Sequence, residues 1–441
     1  MKCATLAALF GCHLAFAQVP EQFQFTPAPT PDRLLLKKGD RLAICGDSIT
    51  EQKMYSRIIE DYLTACMPQL KIEVRQFGWG GERADGFLAR MTNDCLRFNP
   101  TVATTCYGMN DHEYRPYEDR IGETYRQNSA AIVKTFKANG VRVVLGSPGC
   151  VGERSWWQPG ANTEALNLNL CQLRNIDVEI ARQENVAFAD VFQPMLKASC
   201  EAAAKYGTNY QMSGNDGVHP SWAGHTIMAY AFLKALGVDG RIADFQLDLA
   251  KKKLTVSDGH KVLSARDGVF TIRSSRYPFC SGAPLGMAAD WYPTIGHNSI
   301  DKNDSIRSGM TFVPFQQDLN RFMLTVKNIE DGNYRVSWGE QSRVFSSEEL
   351  KRGINLAAEF EANPFSSRFA RIDAAVACKQ ACETREIKNL FRPSVEKPTM
   401  QQIAEQTEKI LKDAERERAA YAEAIRVAYA PVTYTLTVTR E

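Results

Sequence analysis

Ser48 ends the run Leu42-Ala43-Ile44-Cys45-Gly46-Asp47-Ser48, four apolar residues followed by a glycine, an acid and the serine. A serine hydroxyl is a weak nucleophile until a neighbouring base takes its proton. Asp216-Gly217-Val218-His219-Pro220 can supply that base. Beyond residue 17 the chain has His112, His219, His225, His260 and His297. Of these, only His219 has a carboxylate three residues upstream on a glycine-containing loop, and it precedes a proline suited to open a helix. Asp216 can hold one ring nitrogen while the other faces Ser48. His225, inside the helix that follows, reads as structural.

Acyl transfer also needs donors for the oxyanion that forms when the nucleophile attacks. Phe77-Gly78-Trp79-Gly80-Gly81-Glu82-Arg83 brings three glycines, which let a backbone approach a ligand and turn its N–H groups inward. The dinucleotide pattern GxGxxG fails because Arg83 occupies the last position. An anion-holding turn is favoured over a nucleotide loop, and a purely structural turn stays open. Tyr107-Gly108-Met109-Asn110-Asp111 adds an asparagine amide that can donate to an oxyanion or simply shape a turn. No CxxC pair or Cys/His cluster suggests a metal, and no cofactor is expected.

These residues need a scaffold that gathers distant segments. Between residues 39 and 238 short apolar runs alternate with amphipathic stretches. The pattern predicts strands over 41–45, 71–76, 101–106, 141–146 and 186–189. It predicts helices over 54–67, 85–95, 121–139, 163–184, 193–206 and 220–236. Such alternation argues for an α/β fold, a three-layer α/β/α parallel sheet. Ligands then bind beyond the carboxyl ends of the strands, where Ser48, the glycine loop and Asn110 all fall.

Taken together, GDSIT at Ser48, GWGGERADG at the glycines, YGMND at Asn110 and DGVHP at His219 resemble the SGNH (GDSL-type) hydrolase family in order and spacing. The resemblance covers about residues 39–238 and implies a flavodoxin-like sheet. It implies that Ser48 is the nucleophile, His219 the general base and then acid, and Asp216 its orienting partner. The Ser48 and Gly81 N–H groups and the Asn110 side chain would form the oxyanion hole, with Gly80 as the alternative glycine. One departure is Gln76-Phe77 where the family's second block usually opens with asparagine, which bears on loop shape rather than chemistry.

A chain of 441 residues predicts two or three domains. With 44% hydrophobic and 24% charged residues it is expected to be globular, and a net charge of +2 gives no reason to expect a nucleic-acid partner. Lys2, an apolar run and Ala15-Phe16-Ala17 read as a signal peptide over 1–17, with Gln18 as the mature start. Secretion or periplasmic export is expected, and no other run is long enough to span a membrane. Export would allow cysteines to oxidise, with Cys45 and Cys106 equally readable as buried thiols.

Residues 18–38 are expected to be an extended leader. From 239 to 345 alternating runs predict an antiparallel β-rich module. Residues 346–430 predict a helical insertion that packs on that module, and 431–441 a last strand returning to it. Trp79, Arg83, Trp156 and Trp157 are candidate substrate contacts, since exposed indoles can stack on sugar rings, although the tryptophans could instead cap the core. The expected activity is hydrolysis of short acyl, notably acetyl, esters of a carbohydrate. Alternatives are a lipid or small-alcohol esterase with the same site, or a non-catalytic carbohydrate-binding protein. Oligomeric state is not legible.

Overall fold

Five short runs with almost every side chain buried form one sheet. The structure, a computed structural model, describes residues 19–31, 33–153, 162–281, 298–390 and 400–441. Strands β1 (Arg41–Gly46), β2 (Glu73–Gly78), β3 (Val102–Cys106), β4 (Arg142–Gly146) and β5 (Ala187–Ala189) pair in parallel, in the order β2-β1-β3-β4-β5. Between and after them run helices α1 (Ser48–Glu51), α2 (Tyr55–Ala65), α3 (Ala84–Asp94), α4 (Asp119–Ala138), α5 (Thr163–Glu184), α6 (Phe192–Tyr206) and α7 (Trp222–Ala235).

The two-residue period of a strand sends alternate side chains of β1 to opposite faces. Leu42 and Ile44 pack in the core beneath α2 and α7, with Tyr55, Ile59 and Phe232. Ala43 and Cys45 pack on the other face with Phe87 of α3 and Phe136 of α4. This is a three-layer α/β/α fold, and the strand order reverses direction between β1 and β3. The carboxyl ends of those two strands flank the crevice where such sheets bind ligands.

The chain before β1 lacks regular structure over residues 19–31. Phe23 packs on Phe192 at 6.3 Å between ring centres, and the Thr26 N–H donates to Asn175 at 3.0 Å. The signal-peptide reading of 1–17 lies outside the described residues.

The second half contains β6 (Arg241–Asp248), β7 (Lys253–Val256), β8 (His260–Arg266), β9 (Val269–Ser274), the short helices α8 (Ile306–Gly309) and α9 (Phe315–Asp318), β10 (Arg321–Lys327), β11 (Asn333–Trp338), β12 (Gln341–Ser346), α10 (Ser347–Arg352), β13 (Ile354–Asn355), α11 (Leu356–Glu359), α12 (Ser366–Arg385), α13 (Met400–Ala428) and β14 (Val432–Arg440). They build two sheets, β13-β10-β6-β7 and β12-β11-β14-β9-β8, and β14 pairs with both β9 and β11. Ser346 starts α10 with a reciprocal capping box to Glu349. One pairing departs from expectation, because β6 and β10 run parallel. Apolar alternation specifies which face of a strand is buried, not its direction, so the sequence pattern could not reveal it.

The helical segment also sits elsewhere than expected. Helix α12 lies along β2 and α2 of the parallel-sheet unit rather than on the β sheets alone. Its contact face is charged: Lys379 Nζ donates to the Val74 carbonyl at 2.6 Å, and Glu383 accepts the Gln76 N–H at 3.2 Å. Those are the outward backbone groups of an edge strand, which must find partners when buried. Arg57 of α2 adds a two-bond pair with Asp373 of α12, both bonds 2.5 Å and both side chains 3% exposed. A polar contact face has no hydrophobic periodicity to betray it. Among the described residues no helix is long and apolar enough to cross a membrane.

Candidate active site

The turn after β1 begins with Asp47, whose carboxylate accepts the Ile49 N–H at 2.9 Å and so caps α1. That leaves the Ser48 N–H pointing out of the first turn, with no acceptor among the described residues. Gly78, at the end of β2, is required by close approach. A Cβ there would lie 2.2 Å from the backbone nitrogen of Glu51.

His219 Nε2 lies 2.8 Å from Ser48 Oγ, and Nδ1 lies 2.6 Å from Asp216 Oδ2. The other Asp216 oxygen accepts the N–H groups of Val218 at 2.9 Å and His219 at 2.8 Å, which fixes the loop before α7. Burial pushes the Asp216 carboxyl up, but the bonds and charge of His219 and these backbone donors outweigh it and hold it below its ordinary value. The carboxylate therefore stays ionised, and an Nδ1–H donated to it leaves Nε2 free to accept from Ser48. Folding gains from this pairing above the ordinary carboxylate range, and the gain is lost as pH falls through the lowered value.

Gly81 has φ +74°, a conformation that favours glycine, and its N–H has no acceptor among the described residues. The Gly80 N–H is taken by Glu51 Oε2 at 2.5 Å. Of the two glycines, Gly81 is thus the one with a donor to spare. Asn110 donates one Nδ2 hydrogen to the Glu82 carbonyl at 2.9 Å and accepts the Tyr114 hydroxyl on Oδ1 at 3.0 Å. Its second Nδ2 hydrogen can reach the cavity. Ser48, Glu51, Gly80, Gly81, Asn110, Tyr114, His219 and Lys388 line an open cavity of about 320 Å³. The arrangement can deprotonate a hydroxyl and surround a new oxyanion with three N–H donors.

Other residues singled out in the sequence serve this geometry from behind. Asp111 accepts the Ala84 N–H at 3.0 Å and the Gly108 N–H at 2.9 Å, tying the glycine loop to the asparagine loop. Its burial raises the carboxyl to about 6. Burial likewise raises Asp47 to about 7 against the pull of the Ile49 N–H and His219. His112 is fully buried with Nδ1 on the Met109 carbonyl. His225 Nδ1 accepts the Tyr55 N–H at 3.2 Å and Nε2 donates to Gln52 at 3.0 Å. Burial lowers it to about 3, so it stays a neutral strut between α2 and α7.

Of the candidate substrate contacts, Trp79 and Arg83 are not among the residues that line this cavity. Trp79 is half-buried against the core of the α3 side, 5.3 Å from the Arg90 guanidinium and 5.7 Å from Lys388 Nζ. Arg83 is half-exposed and pairs with Glu113 at 3.4 Å. Trp156 and Trp157 lie outside the described residues. All ten described cysteines are free thiols, with Cys45 and Cys95 sulfurs 3.9 Å apart. No group of three or more metal-ligating side chains occurs among the described residues.

Three further residues line the cavity that no sequence motif singles out: Glu51, Tyr114 and Lys388. Glu51 and Tyr114 follow Ser48 and Asn110 by three and four residues, a spacing that returns side chains to the same side of a turn. Lys388 has no local signal at all.

Residues 44–227 match the model of the GDSL-like lipase/acylhydrolase family. An acetylxylan esterase of Geobacillus stearothermophilus is 25% identical over 229 residues, 46% of this chain and 95% of that protein. A crystal structure of an acetylxylan esterase from Geobacillus stearothermophilus aligns at 23% identity with a TM-score of 0.38, over 46% of this chain and 96% of that one. A gut microbial diltiazem-metabolizing enzyme aligns over 94% of this chain and 99% of its own at 22% identity, with a TM-score of 0.71. The last likeness shows that both halves share one overall fold with a solved structure.

Proposed function

Residues 44–227 are a GDSL-like, SGNH-type hydrolase domain and the chain is an ester hydrolase; from that premise we propose an exported serine esterase that removes short acyl groups, notably acetyl, from carbohydrates. The observation that carries the reading is the unbroken relay from Ser48 Oγ through His219 to Asp216, set beside spare N–H donors on Ser48, Gly81 and Asn110.

His219 Nε2 takes the Ser48 proton as Oγ attacks the ester carbonyl. The tetrahedral oxyanion receives the Ser48 and Gly81 N–H groups and the free Asn110 hydrogen. His219 then gives its proton to the departing alkoxide, which leaves as an alcohol, and Ser48 is left acylated. Water attacks the acyl-serine with His219 again as base, releasing the acid and restoring Ser48. Asp216 stays ionised and steadies the imidazolium in both steps.

A cavity of about 320 Å³ that opens to solvent suits a small acyl group with the alcohol part held outside. The 25% identity with an acetylxylan esterase supports a carbohydrate as that alcohol. Export rests on the N-terminal sequence pattern, and Edman sequencing of the released protein should begin at Gln18. The substrate reading predicts faster acetate release from acetylated xylo-oligosaccharides than hydrolysis of triglycerides or long-chain aryl esters. Preference for long acyl chains would replace it with the lipid-esterase reading.

A further inference from the structure

Glu51 closes the helical turn that begins at Ser48, and its side chain is 3% exposed. One carboxylate oxygen accepts the Gly80 N–H at 2.5 Å, and the other is held by the Lys388 ammonium. Lys388 comes from the other half of the chain, in the π-helical turn Glu386–Leu390 that continues α12. It is one-third exposed, and its ammonium also lies 5.7 Å from the centre of the Trp79 ring. Glu51 and Lys388 both line the cavity with Ser48, Gly81 and Asn110.

A buried carboxylate beside a developing oxyanion opposes it, and the repulsion is strong where water is excluded. Left without a cation, such a carboxylate is also costly to the fold. The Glu51 carboxylate nevertheless has a task, since it fixes Gly80 and thereby the turn that aims the Gly81 N–H. Lys388 meets both requirements from outside the hydrolase domain.

We propose that Lys388 is a positioning residue for ester hydrolysis: paired with Glu51, it steadies the clamp on Gly80 and cancels a negative charge beside the oxyanion hole. The proposal rests on the catalytic reading of Ser48, Gly81 and Asn110. It gives the helical segment a role in the reaction, because the charge-balanced site exists only when α12 is docked along β2.

Steady-state kinetics of the full chain on a soluble acetyl ester test it. Lys388→Met should lower kcat by about tenfold or more while KM stays near the wild-type value. Lys388→Arg, which keeps the charge, should retain most of kcat. Adding Glu51→Gln to Lys388→Met removes the stranded charge while keeping an acceptor for the Gly80 N–H, and should recover most of the loss. Loss of packing alone would not be reversed by that second change. Wild-type kcat in folded Lys388→Met, or a loss that Glu51→Gln does not recover, overturns the proposal. Should the methionine variant not fold, Lys388→Gln carries the same expectations. A wild-type protein that neither turns over esters nor labels at Ser48 overturns the catalytic reading itself, a failure distinct from the other two.

Discussion

The Tyr114 hydroxyl donates to Oδ1 of Asn110 at 3.0 Å, which fixes the end of that amide that faces the Ser48 cavity. Burial, with the nearby Asp47 and Asp216 carboxylates, pushes the phenol's pKa up, so it remains a donor at neutral pH. Asn110→Ala should lower kcat by about 10²–10³ in a folded protein, the usual cost of an oxyanion donor. Tyr114→Phe leaves the amide in place but less firmly held. The lost bond is worth about 1 kcal/mol, so kcat should fall about fivefold. Equal turnover by wild type and Asn110→Ala would remove Asn110 from the site.

Asp47 gives a pH test of stability. Its carboxyl titrates near the ordinary value of 3.8 when unfolded and at about 7 when folded. Between those values the unfolded chain has lost the proton and the native state has kept it, so this group makes stability fall as pH rises. Asp47→Asn keeps the Ile49 cap and has no proton to lose. Its stability relative to wild type, measured by urea unfolding, should therefore climb between pH 4 and 7, by about 1.4 kcal/mol per unit at most, and then level. A difference that is flat or shrinks over that range contradicts the assignment.

The Arg57–Asp373 pair tests how α12 is held. Both groups are buried, so Asp373→Ala strands the guanidinium against α2 and should cost about 3–5 kcal/mol. Asp373→Asn, which retains one acceptor, should cost less. If Asp373→Ala unfolds at the wild-type denaturant midpoint, the charged face does not hold the helix.

The parallel sheet was legible because each strand is a continuous apolar run and each helix an amphipathic one. The site was legible in part for the same reason: Ser48, Gly81 and Asn110 follow directly on strand ends, where local sequence shows them. For Trp79 the sequence leaves a substrate contact and a cap on the core equally open, and its half-buried ring packs beside Arg90 and the core. Both oxygens of Asp111 and Nδ1 of His112 are spent on backbone groups nearby. Lys388 was illegible. Its place depends on α12 docking through Lys379, Gln380 and Glu383, charged and polar residues that a one-dimensional reading assigns to solvent.

The most direct test of Ser48 as nucleophile is covalent labelling of the folded full chain with a fluorophosphonate, followed by peptide mass spectrometry. One modified site is expected, Ser48, with labelling that Asp216→Ala slows and Ser48→Ala abolishes. A folded wild-type protein that stays unmodified, or that carries the label on any other residue, would contradict it.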